Sequence, residues 1–386
     1  MTSETPLRAE NLRIHNKNLV LSLIYQRQSA GLSQSAVVEQ TGLKAPTIFR
    51  IFNELLGDNL IEPVAETAEP EGLAKKGRKP VNFRVCRTGR YSVAVEFWTA
   101  YLSIGVFDFW GERVQSMIQN LTPEMDADEI TALIIKSVST IISKLEIPQD
   151  RIMGIGVAAP GQVDLSRNLI SYYPRIKGMR YYPIVEKIQN VLHIPVILHN
   201  NCSALAVGEF RYGNFAAKDS LFTFLLRSGV NGSFIDHDSV FVNSKHRTIE
   251  VGHIPVQCNG PVCSCGQKGC LEACLRSIDT SPDGTVLFSS IDVDSENGKQ
   301  VMDEAAGYLL VAVNVISQIL APSAYLIVAC NDRISAMLAE RVQKMIQTDC
   351  FSQKIPDIYH ALYDPLFTQR GMSDQVVARY FFEEKI

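Results

Sequence analysis

One short stretch constrains this chain more than any other: His253, then Cys263, Cys265 and Cys270, an imidazole and three thiols close enough in sequence to surround one ion. Thiolate sulfur and imidazole nitrogen are the donors of closed tetrahedral zinc sites, which leave no position for water. Gly266 and Gly269 fall between the last two cysteines, where a backbone curling around an ion needs positive φ. Cysteines are also common as small buried hydrophobes, but the glycine-bearing knuckle over residues 253–272 favours structural Zn²⁺. Cys258 has no partner at short spacing, and Cys274 follows Glu272 at the start of what reads as a helix. Neither is expected to be a ligand.

A knuckle of this kind needs a larger body to sit in, and 386 residues predict two or three domains. With 46% hydrophobic and 20% charged residues the composition is that of a globular protein. The net charge of −4 excludes no partner until its distribution is read. No apolar run reaches the ~18–20 residues that span a bilayer, and Met1-Thr2-Ser3-Glu4 does not open a signal peptide. Nine cysteines, an odd number of which three cluster as apparent metal ligands, suit a reducing compartment. These features predict a cytoplasmic protein without a membrane partner.

The first 88 residues read as a winged helix-turn-helix. Leu12, Leu19, Leu23 and Ile24 recur at helical spacing and predict one amphipathic face. Ser33 is placed to cap a short helix over 34–41, Gly42 breaks it, and a third helix starts near Pro46 and stops at Gly57. Ile48, Phe52 and Leu55 share its inner face. A short helix, a glycine turn and a longer helix are the arrangement in which the second helix enters the major groove of double-stranded DNA. Ser33, Gln34, Lys44, Thr47, Arg50 and Asn53 are the candidate contacts. Residues 60–63 and 81–85 predict a two-stranded wing. From Lys75 to Arg90 there are basic residues and no acidic ones, and Arg78 and Lys79 within Gly77-Arg78-Lys79-Pro80 suit phosphates or a minor groove.

Residues 89–386 alternate strand and helix patterns and predict an α/β domain. Two strand–turn–strand units, at 91–108 and 221–242, suggest two lobes with a cleft between them. The run Gly154-x-Gly156-x3-Pro160-Gly161, the pair Asn200-Asn201, the segment Glu250-Val251-Gly252-His253 and Cys-x-Cys-Gly-x2-Gly-Cys-x-Glu at 263–272 resemble the ROK family of repressors and sugar kinases. With the front module, the chain is similar to that family's NagC/Mlc-type regulators. The resemblance implies a two-lobed actin/hexokinase-like (ribonuclease H-like) fold, with Asn200, Asn201, Glu250, His253 and Glu272 at positions that contact sugar hydroxyls.

The chain departs from the kinase pattern where phosphoryl transfer would occur. A kinase of this type needs a carboxylate as base, where this chain has Asn201. The first phosphate loop, Asp-x-Gly-Gly-Thr in such kinases, is Glu96-Phe97-Trp98-Thr99-Ala100. The second, Gly-Thr-Gly, is Arg227-Ser228-Gly229, and a late Gly-Gly is Ala329-Cys330. The loop 172–178 offers Arg175 and Lys177 in place of an asparagine, cations common in a solvated loop and also suited to an acidic or phosphorylated sugar. These features predict a repressor without enzymatic activity, controlled by a sugar or sugar phosphate and acting as a homodimer or homotetramer. The alternatives are an ATP-dependent sugar kinase and a regulator controlled by a protein partner.

Overall fold

The computed structural model describes residues 9–27, 30–64, 81–237, 239–244, 248–279, 281, 285–346 and 356–381. The chain opens with helix α1 (Ala9–Gln26), strand β1 (Leu32–Ser33), α2 (Gln34–Thr41), α3 (Ala45–Gly57), β2 (Ile61–Pro63) and β3 (Asn82–Val85). Ser33 caps α2 by accepting from the Ala36 N–H at 3.2 Å, and Gly42 ends it at φ 67°. Pro46 lies in the first turn of α3, and Ile48, Ile51, Phe52 and Leu55 are its buried face. The expected two-stranded wing gains a third member, because Leu32 and Ser33 pair with Phe83 and Asn82 to give the order β1-β3-β2.

The expected face of α1 is corrected. Leu12 is 49% exposed and Leu19 also reaches solvent, while Val20, Leu21, Ile24 and Tyr25 are buried. Of the expected face, Ile24 is buried and Leu23 packs against the core, whereas Leu12 and Leu19 do not. The buried stripe is rotated towards Val20, Leu21 and Tyr25 because α1 packs on two bodies at once. Its residues share one apolar cluster with α3, with Phe107 and Phe109, and with Met372 and Val376 near the C-terminus.

The rest of the chain forms two lobes on one plan. The first contains β4 (Tyr91–Phe97), β5 (Tyr101–Asp108), β6 (Arg113–Asn120), α4 (Ala127–Lys144), β7 (Ile152–Ala159), a small sheet β8 (Gln162–Asp164), β9 (Leu169–Tyr172) and β10 (Arg180–Tyr182), α5 (Ile184–Leu192) and β11 (Val196–Asn200). Helix α6 (Asn201–Tyr212) leads to the second lobe. That lobe contains β12 (Ser220–Leu226), β13 (Val230–Asp236), β14 (Ser239–Val240), α7 (Leu271–Ile278), α8 (Glu296–Ile319), β15 (Ala324–Ala329), α9 (Asp332–Met345) and β16 (Asp357–Leu362). Helix α10 (Pro365–Phe381) returns to the first lobe.

The main sheets run β11-β7-β4-β5-β6 and β14-β13-β12-β15-β16. Numbered within its own lobe, each reads 3-2-1-4-5, so the duplication absent at the level of sequence identity is present as topology. Strand β6 was not anticipated from the sequence; its alternating burial marks an edge strand with one wet face. Helices α4 and α5 cover one face of the first sheet, and α7, α8 and α9 cover one face of the second. Helices α6 and α10 fill the space between the lobes. They cross backbone to backbone: a Cβ on Gly208 would sit 1.9 Å from the Phe367 carbonyl oxygen, and one on Gly371 would sit 1.9 Å from that of Ala204. Only glycine at both positions permits that approach. Among the described residues no helix is long and apolar enough to cross a membrane.

Candidate ligand pocket and metal centre

The pocket opens where strand ends of the two lobes meet. Its walls come from the β7–β8 turn, the β9–β10 loop with Tyr172 and Arg175, the start of α6, the β12–β13 turn, and the segment carrying Glu250 and His253. Asn200, Asn201, Glu250, His253 and Glu272 all line it. The fold therefore gathers residues that are widely separated in sequence.

Their hydrogen bonds divide them. Asn200 is the N-cap of α6: its Oδ1 accepts from the Cys202 N–H at 2.8 Å, and its Nδ2 donates to the Gly161 carbonyl at 2.6 Å. Glu272 accepts from the Val230 N–H at 3.0 Å and lies 3.4 Å from Arg276. Arg276 also donates to the Ser228 carbonyl. These two side chains shape the pocket. Asn201 is different. Its Nδ2 donates to the Phe97 carbonyl at 3.1 Å, while Oδ1, in a residue only 4% exposed, has no hydrogen-bond partner. A buried acceptor without a donor costs about 1–3 kcal/mol, and Asn201 lines the pocket, where a ligand hydroxyl would relieve that cost.

In the pocket wall Arg227 anchors a group the sequence reading did not assemble. Arg227, 3% exposed, donates from Nη1 to Glu96 Oε1 at 2.9 Å, and Tyr363 donates to the same oxygen. The guanidinium sits over the Trp98 ring at 4.4 Å and the Tyr363 ring at 4.5 Å. Burial opposes the charge of Arg227, but Tyr363, Glu96 and Tyr101 around it hold its pKa above the ordinary value. Glu96 is the penultimate residue of β4 in the first lobe, and Arg227 follows β12 in the second. The pair is an ion pair across the cleft, made from the residues expected to occupy the two phosphate loops. Of the two aromatics Phe97 and Trp98, only Trp98 reaches the guanidinium, as one wall of an arginine box, while Phe97 is buried in the core of the first lobe.

The ligand atoms of His253, Cys263, Cys265 and Cys270 all lie within 4.8 Å of one another. Cys263 Sγ is 3.4 Å from His253 Nδ1, and Cys265 Sγ is 3.7 Å from Cys270 Sγ. Sulfur at about 2.3 Å and nitrogen at about 2.0 Å from a tetrahedral ion give edges close to these. Without an ion, burial and the adjacent sulfurs push the Cys270 thiol up to about 12. A divalent cation would reverse that shift, so the donor set fits a metal. Gly266 and Gly269 take the anticipated positive φ, 90° and 71°. Cys258 is exposed, and Cys274 is buried beside Gln257; neither belongs to the cluster.

At the other end of the molecule Lys44, Arg50 and Asn53 are exposed along α3 and Thr47 is half-buried, as is Gln34 on α2. Phe49, 58% exposed on the same helix, was not anticipated. Ser33 is buried, and its hydroxyl takes the expected cap position of α2 rather than an exposed one. Arg78 and Lys79 lie outside the described residues.

The ROK family sequence profile matches residues 93–353, and the chain belongs to that family. It is 25% identical over 272 residues to the xylose repressor of Bacillus subtilis, covering 69% of this chain and 68% of that one. A structure described as a ROK family transcriptional regulator, a homologue of the E. coli MLC protein, superposes with a TM-score of 0.77 at 20% identity over 96% of this chain and 97% of its own. A ROK glucokinase from Streptomyces griseus, in complex with glucose and AMPPNP, superposes with a TM-score of 0.59 at 19% identity over 74% of this chain and 98% of its own. The two-lobed architecture is therefore common to regulators and kinases.

Proposed function

We propose that this chain is a DNA-binding transcriptional regulator, a repressor of carbohydrate-utilisation genes released by a sugar or sugar phosphate, with a pocket that performs no phosphoryl transfer. The buried Arg227–Glu96 pair carries the reading. A nucleotide would have to bring its phosphates to a place already filled by an internal cation and its own counter-ion. An amide at 201 accepts a hydroxyl hydrogen bond but cannot take the proton. The repressor name of the Bacillus subtilis relative points the same way.

Residues 1–88 form the reading unit, a winged helix-turn-helix, and 89–386 the sensor. Lys44, Thr47, Arg50 and Asn53 on α3, with Gln34, face the major groove of an operator, and Arg78 and Lys79 reach phosphates. Two copies supply two half-sites, hence a homodimer or homotetramer. In the pocket Asn201 Oδ1, Glu250 and His253 bind the hydroxyls. His253, Cys263, Cys265 and Cys270 would hold the Zn²⁺, which would supply a fixed tautomer and orientation to the His253 imidazole beside the ligand.

The route from pocket to reading unit is helix α6. Its first residues, Asn200 and Asn201, are pocket wall. In its last turn Arg211 pairs with Asp374 of α10 at 2.5 Å, and Tyr212 donates to the same carboxylate at 3.4 Å. Tyr25 of α1 also donates to Asp374, at 3.4 Å, and stacks near Phe109 with centroids 5.7 Å apart. Because α6 and α10 are locked by their glycine crossing, a shift at one end reaches α1 with little loss. A ligand that prefers one arrangement of the lobes then changes the orientation of α3.

The test uses full-length protein and genomic fragments selected by it. One fragment should be retained at physiological salt and released by a particular sugar. ATP-dependent phosphorylation of a sugar, or failure to retain any duplex at low ionic strength, would overturn the proposal.

A further inference from the structure

Phenylalanine is a residue that folding buries, yet Phe49 is 58% exposed, more than any other phenylalanine among the described residues. It is the fifth residue of α3. The inner side of that helix is held by buried Ile48, Ile51, Phe52 and Leu55, and the Phe52 ring meets Phe83 edge to face with centroids 5.2 Å apart. The Phe49 ring therefore stands outward from a fixed base. The other exposed residues from 44 to 53 are Lys44, Ala45, Pro46, Arg50 and Asn53, so Phe49 is the only large apolar side chain in the open there. The charges on this helix suit a polyanion. No acidic residue occurs from Gln40 to Asn53. The acids at the far end are taken up by α1, Glu54 by Arg13 at 2.8 Å and Asp58 by Lys17 at 2.6 Å, while Arg50 stays 3.9 Å from Glu54.

We infer that Phe49 selects thymine: its ring packs on the 5-methyl group of one thymine in each half-site of the operator. The inference rests on the DNA-binding reading and adds one base to what the reading unit recognises. The second helix of this motif contacts base edges with its N-terminal residues, which brings Phe49 to the floor of the groove and Lys44 and Arg50 towards the backbone phosphates. Base edges in the major groove are hydrogen-bond donors and acceptors with one apolar exception, the thymine methyl. A phenyl ring makes no hydrogen bond. Over a G·C pair it would cover polar edges and displace their water without a replacement partner. Over an A·T pair it removes a methyl group and its own exposed face from water together.

The experiment measures affinity of the full-length protein for a duplex it selects from genomic fragments, with each thymine replaced in turn by deoxyuridine, which lacks only the methyl group. One replacement in each half-site should weaken binding about fourfold, as burial of a single methyl predicts. Phe49→Ala should lose at least as much affinity for the unaltered duplex and be indifferent to that replacement, while Phe49→Leu, still apolar, should keep part of the difference. Because the side chain is exposed, neither substitution should move the melting temperature. If Phe49→Ala abolishes the effect of no deoxyuridine position, the inference is overturned and the DNA-binding reading stands. A change of sedimenting mass in Phe49→Ala also overturns it, by assigning the ring to contact between copies of the chain. Retention of no duplex at low ionic strength overturns both.

Discussion

Replacing Arg227 with methionine tests the most consequential contact in the cleft. The variant keeps the volume and apolar stem of the arginine between Trp98 and Tyr363 but leaves Glu96, fully buried, with only the Tyr363 hydroxyl. Breaking a buried ion pair from one side costs about 3–5 kcal/mol, and the two ring contacts at 4.4 and 4.5 Å add about 1 kcal/mol. Glu96→Gln should cost a similar amount, because it leaves the buried guanidinium facing a neutral amide. The double variant Arg227→Met/Glu96→Gln removes both charges and retains an acceptor for Tyr363, so it should be more stable than either single variant. Urea unfolding of all four proteins gives the cycle, with an expected coupling of about 3 kcal/mol. Additive effects, or a single-variant cost below about 1 kcal/mol, would refute the argument that these lobes are joined by a desolvated ion pair.

Asn201→Asp puts a carboxylate in the pocket wall, but the arginine box remains, and a coupled assay should detect no ATP-dependent sugar phosphorylation. Cys270→Ser should remove bound zinc, measured by atomic absorption, and lower the melting temperature by several degrees, as should prolonged chelation of the unaltered protein. Burial, then the charge of Asp364, raises Glu209 to about 7, so the folded state binds more protons than the unfolded one between about pH 4.5 and 7, and stability falls as pH rises through that window. Glu209→Gln should therefore match the unaltered protein near pH 5 and exceed it by up to about 3 kcal/mol at pH 8, as read by urea unfolding at the two values. Asp374→Asn should leave effector affinity within about twofold but reduce effector-driven release of DNA, measured by fluorescence anisotropy.

Much of the site was legible because its chemistry is local in sequence. The metal knuckle depends on donors and glycines a few residues apart, and the structure returns both its convergence and its positive φ values. Helices α2 and α3 were legible for the same reason: cap, glycine stop and first-turn proline are neighbours of the helices they delimit. The inner face of α1 was not. A helix packed on two bodies has no single apolar stripe to announce, and Tyr25 has meaning only beside Phe109 and Asp374. Ser33 was read as a DNA contact because its type suits one; its burial comes from the strand pairing of Leu32 and Ser33 with β3.

The sequence by itself determined which residues stand at 96–100, 201 and 227–229, an amide at 201 among them, because identity at a position needs no fold to be read. Only tertiary structure decided which of them meet. Glu96 and Arg227 stand far apart in the chain, and nothing in either neighbourhood marks them as partners. They meet because two sheets of the same topology face each other across a cleft, where a desolvated charge must find its opposite or not be there at all.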